Sequence, residues 1–156
     1  MSTDRFHYYY HSALSTLYLT VDNRQILSLE YEPEHSDLFR QSLPDGEIKS
    51  WLDHYFSGQP QQHQPPMSIQ GTDFQQKVWA EMLKIPYGET LSYGDVSNIL
   101  GSAARAVGQA CKRNHIPIII PCHRIVAKQS IGGYEGATDG HRLDRKQWLL
   151  KHEKSV

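Results

Sequence analysis

The sequence predicts an α+β protein of two domains. In its first part, apolar residues alternate with polar ones, which is the pattern of half-buried antiparallel strands. Its second part shows helical spacing with cap residues and glycine stops. Between them, residues 59–66 are rich in proline and glutamine without apolar periodicity, which is typical of a linker. We therefore expect an N-terminal domain over 1–66, with this linker at its end, and a C-terminal domain over 67–156.

The N-terminal domain begins with a predicted β-meander. Residues 6–12 are rich in strand-favouring aromatic side chains. Apolar residues then recur at period two on either side of an expected turn at 22–24: Leu17, Leu19 and Val21, followed by Leu27, Leu29 and Tyr31. Tyrosines 8–10 also suit a stacking platform for bases, but nearby acidic residues would repel phosphate. We expect half-buried strand residues here.

A helix is predicted after the turn-forming residues 44–46. Its apolar residues fall on one face: Ile48, Trp51, Leu52, Tyr55 and Phe56. Gly58 is a suitable stop. This face indicates packing and carries no chemistry.

The C-terminal domain is expected to open with a capped helix. Thr72 and Gln75 have the spacing of a capping box. The apolar face that follows gives this helix a core side, and Pro86 and Gly88 break the pattern. This helix too is predicted to be structural.

Two short helices separated by a tight glycine turn are predicted next. Ser92 is expected to cap the first, which ends at Gly101, and Ser102 to cap the second, from about 103 to 113. This order, with small side chains on the second helix, is the helix-turn-helix pattern. Small residues also suit tight helix packing inside a core. Both interpretations remain open at this point.

The segment 118–126 carries the residues most suited to chemistry. An apolar, β-branched run is interrupted by Pro121, Cys122, His123 and Arg124, and it reads as a short buried strand or core segment. Polar groups buried in this way need partners. Thiolate reactivity rises beside cationic groups, so Cys122 is a candidate nucleophile. The alternative is a buried cysteine acting as a small hydrophobic residue.

Composition limits the class of protein. The chain has 156 residues and no apolar run long enough to span a bilayer, so we expect no membrane contact. Two cysteines make no disulfide scaffold, which predicts a reducing, cytoplasmic location.

Residues 1–69 carry four basic and nine acidic side chains, whereas residues 70–156 carry twelve basic and eight acidic ones. A basic second half favours nucleic-acid binding, but only weakly.

Several short motifs follow one another over about residues 70–156: GTDFQQ at 71–76, VW at 78–79, IPYGET at 85–90, SYG at 92–94, AARAVG at 103–108, Asn114, PCHRIV at 121–126, WLL at 148–150 and His152-Glu153. In this order they resemble the motifs of one family, the O6-alkylguanine-DNA alkyltransferases. Independent motifs at compatible spacing make the match specific.

The resemblance implies a ribonuclease-H-like N-terminal domain and a mainly helical, winged-helix-type C-terminal domain. It implies that the protein binds double-stranded DNA through the minor groove and flips out O6-alkylguanine. The alkyl group is then transferred irreversibly to Cys122, and O4-alkylthymine is a weaker substrate. No cofactor and no metal are expected, and no ligand spacing supports zinc. The protein is expected to act as a monomer, with cooperative binding along DNA left open.

The resemblance also assigns roles at the reactive centre. Cys122 is the nucleophile, His123 acts on it through a bridging water, and Glu153 orients the imidazole. Tyr93 hydrogen-bonds the extruded guanine and supplies the leaving-group proton. Asn114 braces the turn that holds the active-site segment.

Two further groups of residues are implied, for the flipped base and for the duplex. The base is expected to contact Arg105, Tyr134, Glu135, Gly136 and Ile125, with Arg105 filling the space that the base leaves. The duplex is expected to contact Ala103, Ala104, Arg105, Gly108, Lys112, Arg113 and Arg124, although Arg124 also looks like a structural anchor. Residues 137–142 form a longer connection than the family pattern, which affects the loop carrying Glu135.

Three other functions are compatible with parts of the sequence. An alkylated-base sensor would recognise the lesion without repairing it, but such proteins lack the cysteine. A helix-turn-helix transcription regulator would show sequence-specific affinity and indifference to a lesion. A thiol hydrolase would need repeated turnover through an acyl intermediate, and nothing in the sequence resembles an oxyanion loop.

Overall fold

The computed structural model describes residues 5–128, 132, 134 and 140–154, without the side chain of residue 141. The chain forms two compact units, Met1–Gln70 and Gly71–Val156. This division falls after the linker, because Ile26 pairs with Met67 and exchanges backbone hydrogen bonds with Pro66 and Ser68. The residues that directly follow the linker thus pack on the first unit.

Among its described residues, the first unit contains a four-stranded sheet, one α-helix and a single turn of 3-10 helix at Ser36–Leu38. The strands are β1 (Arg5–His11), β2 (Thr16–Asp22), β3 (Gln25–Glu30) and β4 (Gln41–Ser42), and the helix is α1 (Glu47–Phe56). The strand order is β3-β2-β1-β4, antiparallel throughout except that β4 runs parallel to β1. The predicted meander is therefore confirmed, and the apolar face of α1 buries Trp51, Leu52 and Tyr55.

The alternation expected in β3 is wrong at one position. Ile26 is fully buried, whereas Leu27 is only partly buried. The pairing of β2 with β3 shifts register between Thr20 and Val21, and such an irregularity changes which residues face the core. The alternation of buried and exposed residues is therefore shifted by one position at the start of β3.

The second unit is mainly helical. Its elements are α2 (Asp73–Leu83), β5 (Leu91–Ser92), α3 (Tyr93–Leu100), α4 (Ala104–Lys112), β6 (Ile125–Val126) and α5 (Gly140–Lys154). β5 and β6 pair in parallel. Trp79 of α2 donates a hydrogen bond to the Ala110 carbonyl of α4 at 2.9 Å, which ties these two helices together.

The predicted helix caps are confirmed at two of three positions. Thr72 and Ser92 both form capping boxes, with Gln75 and Asp95 respectively, and Gly101 ends α3 in the left-handed conformation at φ 65°. Ser102 does not cap α4. Ala103 is the N-cap residue without a side-chain bond, and the Ser102 hydroxyl has no hydrogen-bond partner among the described residues.

Within the part of the chain that the structure describes, no helix combines the length and apolar character that crossing a bilayer requires.

Candidate active site

The segment predicted as a short buried strand or core segment is a core segment with a tight turn. Ile118, Ile119 and Ile120 are buried, but only Ile125–Val126 forms a strand. The core segment is the correct one of the two alternatives, because Pro121 turns the chain: it has φ −82° and ψ 66°, and the Cys122 amide donates to the Ile120 carbonyl at 2.8 Å. This is an inverse γ-turn.

The candidate nucleophile sits in the turn that follows. Cys122–Arg124 form one turn of 3-10 helix, and the Cys122 side chain belongs to the core with a residue exposure of 7%. In such a turn, side chains do not alternate between opposite faces as they do in a strand. Cys122 and His123 are therefore not constrained to opposite faces of the chain.

Asn114 braces the approach to this turn. Its Nδ2 donates to the Ile120 carbonyl at 2.8 Å, and its Oδ1 accepts from the Ile116 amide at 2.9 Å. Between these anchor points, Ile118 adopts φ 74°, which is unusual for a β-branched residue. The Asn114 amide thus holds a strained main chain in place by contacts at both of its ends.

Glu153 of α5 gathers several donors around one buried carboxylate. His123 Nε2 lies 2.5 Å from Oε2, and Arg124 binds both oxygens, with Nε at 2.9 Å from Oε1 and Nη2 at 3.1 Å from Oε2. The Gly88 amide donates to Oε1 at 3.1 Å. Burial raises the pKa of Glu153, but the bonds from His123 and Arg124 outweigh burial and hold that pKa well below its usual range.

His123 is fully buried and is kept neutral. Burial lowers the pKa of its imidazole, and the positive charges of Arg124 and Lys146 add to that effect, against the opposing pull of Glu153. With Nε2 bound to Glu153, Nδ1 has no hydrogen-bond partner among the described residues. A buried, unsatisfied ring nitrogen on the residue that follows a cysteine is suited to accept that thiol's proton, directly or through one water.

Arg124 is an internal anchor. Besides its two bonds to Glu153, it donates from Nη1 to the Ile85 carbonyl at 2.7 Å, and its guanidinium lies 5.7 Å from the centre of the Tyr87 ring. Only 8% of the residue is exposed. The anchoring role fits this position, whereas the expected contact with DNA does not, because the donors are used inside the unit.

The residues expected around the flipped base are described in part. Ile125 is fully buried and Tyr134 is 3% exposed, while Tyr93 begins α3 and is half-buried. A Cβ added to Gly132 would come within 3.0 Å of Tyr93 Cε2 and 3.2 Å of its hydroxyl, so this glycine lies against the tyrosine. Glu135, Gly136 and residues 137–139 of the longer connection lie outside the described residues, whereas residues 140–142 belong to α5.

The residues expected to meet the duplex lie on the outer side of α4 and at its ends. Val107 and Ala110 face the core. Ala103, Ala104, Arg105, Lys112 and Arg113 are exposed, and Gly108 is half-buried. α4 therefore has an inner face that packs on the core and an outer face of small and basic residues. Tight core packing accounts for the inner face, and the outer face is left for the helix-turn-helix interpretation.

Sequence reasoning missed one buried cation near this centre, Lys146 of α5. Its side chain is fully buried, and Nζ donates to the Ile125 carbonyl at 2.7 Å. Burial lowers the pKa of Lys146 to about 8, opposed by the negative charge that Cys122 and Cys111 carry when ionised. A lysine in a polar helix gives no sequence signal of burial.

Cys111, the second thiol, differs from Cys122 in its surroundings. It lies on α4, and its pKa is raised well above the ordinary value by burial and by the charge of Cys122. Cys111 is therefore a thiol that stays protonated.

Among the described residues, no group of three or more His, Cys, Asp or Glu side chains is arranged to hold a metal ion.

Comparison with known proteins shows which family the chain is similar to. The family described as "6-O-methylguanine DNA methyltransferase, DNA binding domain" matches residues 73–155. The constitutive methylated-DNA–protein-cysteine methyltransferase of Bacillus subtilis is 46% identical over 69% of this chain and 65% of its own length. The corresponding protein of Mycobacterium leprae is 42% identical over 85% of this chain and 79% of its own length.

Solved structures give the same result for the fold. The O6-methylguanine methyltransferase of Mycobacterium tuberculosis superposes with a TM-score of 0.83 at 33% identity, covering 97% of this chain and 93% of that one. A crystal structure of the same organism's OGT in complex with DNA superposes with a TM-score of 0.80 at 35% identity, covering 96% and 93%. The chain belongs to the methylated-DNA–protein-cysteine methyltransferases, the family of DNA-binding repair enzymes that the sequence motifs indicated.

Proposed function

We propose that this protein repairs DNA by transferring the alkyl group of O6-alkylguanine, and more weakly of O4-alkylthymine, to its own Cys122. The observation that carries the proposal is the order Cys122, His123, Glu153. A buried thiol is followed by a neutral imidazole whose Nε2 is fixed by a carboxylate and whose Nδ1 is left for a proton. That is the arrangement of an activated thiol nucleophile.

The chemical step is a single displacement at carbon. The thiol proton passes to His123, through a bridging water that meets Nδ1. A sulfur lone pair then forms the S–C bond, the C–O6 bond breaks, and its electrons remain on the guanine, which takes a proton from Tyr93. The thioether that results is stable, so each protein molecule acts once.

Access to the lesion is proposed to come from α3 and α4. The exposed small residues Ala103 and Ala104 let α4 approach the floor of the minor groove, where bulky side chains do not fit. Arg105, also exposed, fills the gap left by the flipped base, and Lys112 and Arg113 bind phosphate.

The flipped base is proposed to lie between Tyr93 and Tyr134. The carbonyls of Cys122 and Ile125 accept from its amino group, and the Glu135 amide faces its oxygen, with Gly136 next in the loop. The burial of Ile125 and Tyr134 supports a water-poor pocket. Asn114 keeps the Cys122 turn in register with this pocket.

Two finer fold assignments support the proposal. We infer a ribonuclease-H-like first unit from the strand order β3-β2-β1-β4 with β4 parallel to β1. We infer a winged-helix-type second unit from α3, the Gly101 turn and α4. The same proposal takes residues 1–66 and 67–156 as the two functional domains and the monomer as the acting species.

Intact-protein mass spectrometry tests the proposed function. The protein is mixed with a duplex carrying one O6-methylguanine, beside Cys122→Ser and Cys111→Ser variants. We expect wild type and Cys111→Ser each to gain one methyl group in place of one hydrogen, and Cys122→Ser to gain none. Tight lesion binding without a mass gain would instead support a sensor, and equal affinity for damaged and undamaged DNA would support a transcription regulator.

A further inference from the structure

Three separate segments of the second unit meet at the Glu153 carboxylate. α5 carries Glu153 itself, and the 3-10 turn contributes His123 and Arg124. The third segment is the loop between α2 and β5, whose Gly88 amide donates to Glu153 Oε1 at 3.1 Å. The mechanism described above gives this loop no role, although it reaches the same buried carboxylate.

The loop contacts both members of the buried ion pair. Gly88 binds the carboxylate of Glu153, and the Ile85 carbonyl accepts from Arg124 Nη1 at 2.7 Å. Arg124 in turn binds both oxygens of Glu153, and its guanidinium lies 5.7 Å from the centre of the Tyr87 ring. The loop therefore fixes where the guanidinium and the carboxylate lie relative to each other.

Residues 86–89 form a turn whose type depends on glycine. The Glu89 amide donates to the Pro86 carbonyl at 3.0 Å, and Gly88, the third residue of the turn, has φ 84°. The second residue does not have positive φ, so this is a type II turn. Type I and type II turns differ mainly by a flip of the central peptide, which here carries the Gly88 amide.

That flip decides which end of the peptide dipole meets the carboxylate. In the observed turn the Gly88 N–H points at Glu153 Oε1. A flipped peptide would turn this N–H away and bring the preceding carbonyl oxygen toward the negative charge, which is repulsive. Glycine favours the observed turn because it adopts positive φ without steric cost, whereas an L side chain disfavours it. Space is not the reason, since an added Cβ would lie 3.4 Å from the Glu153 carbonyl oxygen, an ordinary van der Waals contact.

The bonds to Glu153 Oε1 keep the other carboxylate oxygen on His123. Oε2 lies 2.5 Å from His123 Nε2. Because a carboxylate only accepts, Nε2 carries the ring proton and Nδ1 keeps its lone pair. If the carboxylate rotated away, the ring proton could sit on Nδ1 instead, and that tautomer could not take the proton of Cys122 there. The orientation of Glu153 therefore selects the imidazole tautomer.

We propose that Gly88 is a positioning residue for alkyl transfer: its amide, aimed by the type II turn, orients the Glu153 carboxylate and thereby keeps His123 in the tautomer that accepts the thiol proton. This rests on the proposed function and deepens it. Gly88 acts through Glu153 and takes no proton itself. The proton of Cys122 goes to His123 Nδ1 through the bridging water, the S–C bond forms, and the C–O6 bond breaks.

The tautomer of His123 can be measured without DNA. ¹⁵N NMR of histidine-labelled protein distinguishes protonated from unprotonated ring nitrogens in wild type and in Gly88→Ala. We expect wild-type His123 to carry its proton on Nε2 alone, and Gly88→Ala to show a mixture of both tautomers. Alkylation of Cys122 by iodoacetamide at pH 7, followed by peptide mass spectrometry, should slow about two- to tenfold in the variant. Both tautomers in the wild type would already contradict the proposal.

Two variants separate positioning from a simple loss of stability. Gly101→Ala places the same side chain at φ 65° with nothing within 4 Å, so it should lower the melting temperature by a similar amount and leave the His123 spectrum unchanged. Gly88→Asn should restore much of the wild-type spectrum and alkylation rate, because asparagine tolerates positive φ better than alanine does. The proposal is overturned by a wild-type His123 spectrum in folded Gly88→Ala, by equal changes in Gly101→Ala, or by no recovery in Gly88→Asn.

If Gly88→Ala does not fold, Pro86→Gly decides. Pro86 is exposed, and its replacement by glycine loosens the same turn without adding a side chain. The second His123 tautomer should appear in this variant as well, and its absence would refute the proposal. Neither probe uses a lesion. A wild type that shows the Nε2 tautomer but transfers no methyl group would therefore count against the proposed function and not against this role of Gly88.

Discussion

Lys146 and Glu153 lie on the same face of α5 and hold the two ends of one short segment. Lys146 bonds the Ile125 carbonyl at 2.7 Å, and Glu153 bonds His123 at 2.5 Å. One rigid helix thus fixes the main chain after the reactive turn and the imidazole inside it. Because both contacts come from α5, we expect changes in this helix to affect the reaction strongly even where they do not touch the substrate.

Glu153→Gln should lower both stability and reactivity. Removing the carboxylate leaves the buried guanidinium of Arg124 without a counter-charge, which costs about 3 kcal/mol. Folding lowers the pKa of Glu153, so the ionised carboxylate stabilises the wild type fully above about pH 4.5 and less as the pH falls further. The difference in stability between wild type and variant should shrink in the same way. Urea unfolding at pH 7 and pH 3 measures this difference.

The matched control for that variant is Glu89→Gln, an exposed carboxylate in the same unit. It should change stability by less than about 0.5 kcal/mol. Equal stability losses in the two variants would contradict the buried ion pair.

Asn114→Ala should loosen the reactive turn. Two hydrogen bonds are lost, and the carbonyl and amide they satisfied are left inside the unit, a cost of about 1–3 kcal/mol. Asn98→Ala, at an exposed position of α3, should be neutral. Thermal unfolding together with single-turnover methyl transfer checks both effects. Full activity in Asn114→Ala would contradict the bracing role.

Arg105→Ala should slow repair of duplex DNA without changing stability, because its side chain is exposed. We expect a loss of about ten- to a hundredfold in single-turnover rate on a duplex and a smaller loss on a single strand, where the lesion needs no flipping. Lys84→Ala, an exposed lysine paired with Glu81, is the control. Equal loss on both substrates would argue against the role in base extrusion.

Lys112→Ala and Arg113→Ala should act on affinity and not on the chemical step. Each substitution removes one exposed cation that binds a phosphate. The magnitude of the slope of log K against log salt should therefore fall by about one. Fluorescence anisotropy with an undamaged duplex over a salt series measures the slope. An unchanged slope in both variants would move the DNA interface away from the C-terminal end of α4.

Gly132→Ala should disturb Tyr93. The added Cβ would lie 3.0 Å from Cε2 and 3.2 Å from the hydroxyl, at a backbone φ of 74° that already disfavours a side chain. Gly101→Ala is the matched control, since it has φ 65° but meets nothing within 4 Å. Both should lose about 1 kcal/mol of stability, whereas only Gly132→Ala should slow methyl transfer. Equal rates in the two variants would contradict a working contact between Gly132 and Tyr93.

The sequence predicted the parts of this fold that depend on local chemistry. Thr72 and Ser92 cap their helices as expected, because the capping box is defined by residues three positions apart. Ser102 failed, because which residue becomes the N-cap depends on how α4 packs as well as on its own side chain. For segment 118–126 the sequence left a buried strand and a core segment open, because its apolar run fits both, and contacts from outside the segment, such as that from Asn114, select the turn.

The candidate site depended even more on tertiary contacts. Glu153 alone reads as a solvated charge at a helix end, and only the family resemblance placed it beside His123. Lys146 was missed altogether, since neither its neighbours nor its spacing distinguishes it from the exposed Lys151 on the same helix. Burial of single charged residues is decided by what packs against them.

The most direct test of the account is the location of a labelled methyl group. A duplex carrying O6-(trideuteromethyl)guanine is incubated with excess protein, and the digested protein is mapped by tandem mass spectrometry. We expect one label per lesion, all of it on the peptide containing Cys122, with Cys111 unmodified because its thiol stays protonated. Label on another residue, or loss of the methyl group from the DNA without label in the protein, would contradict direct transfer to Cys122.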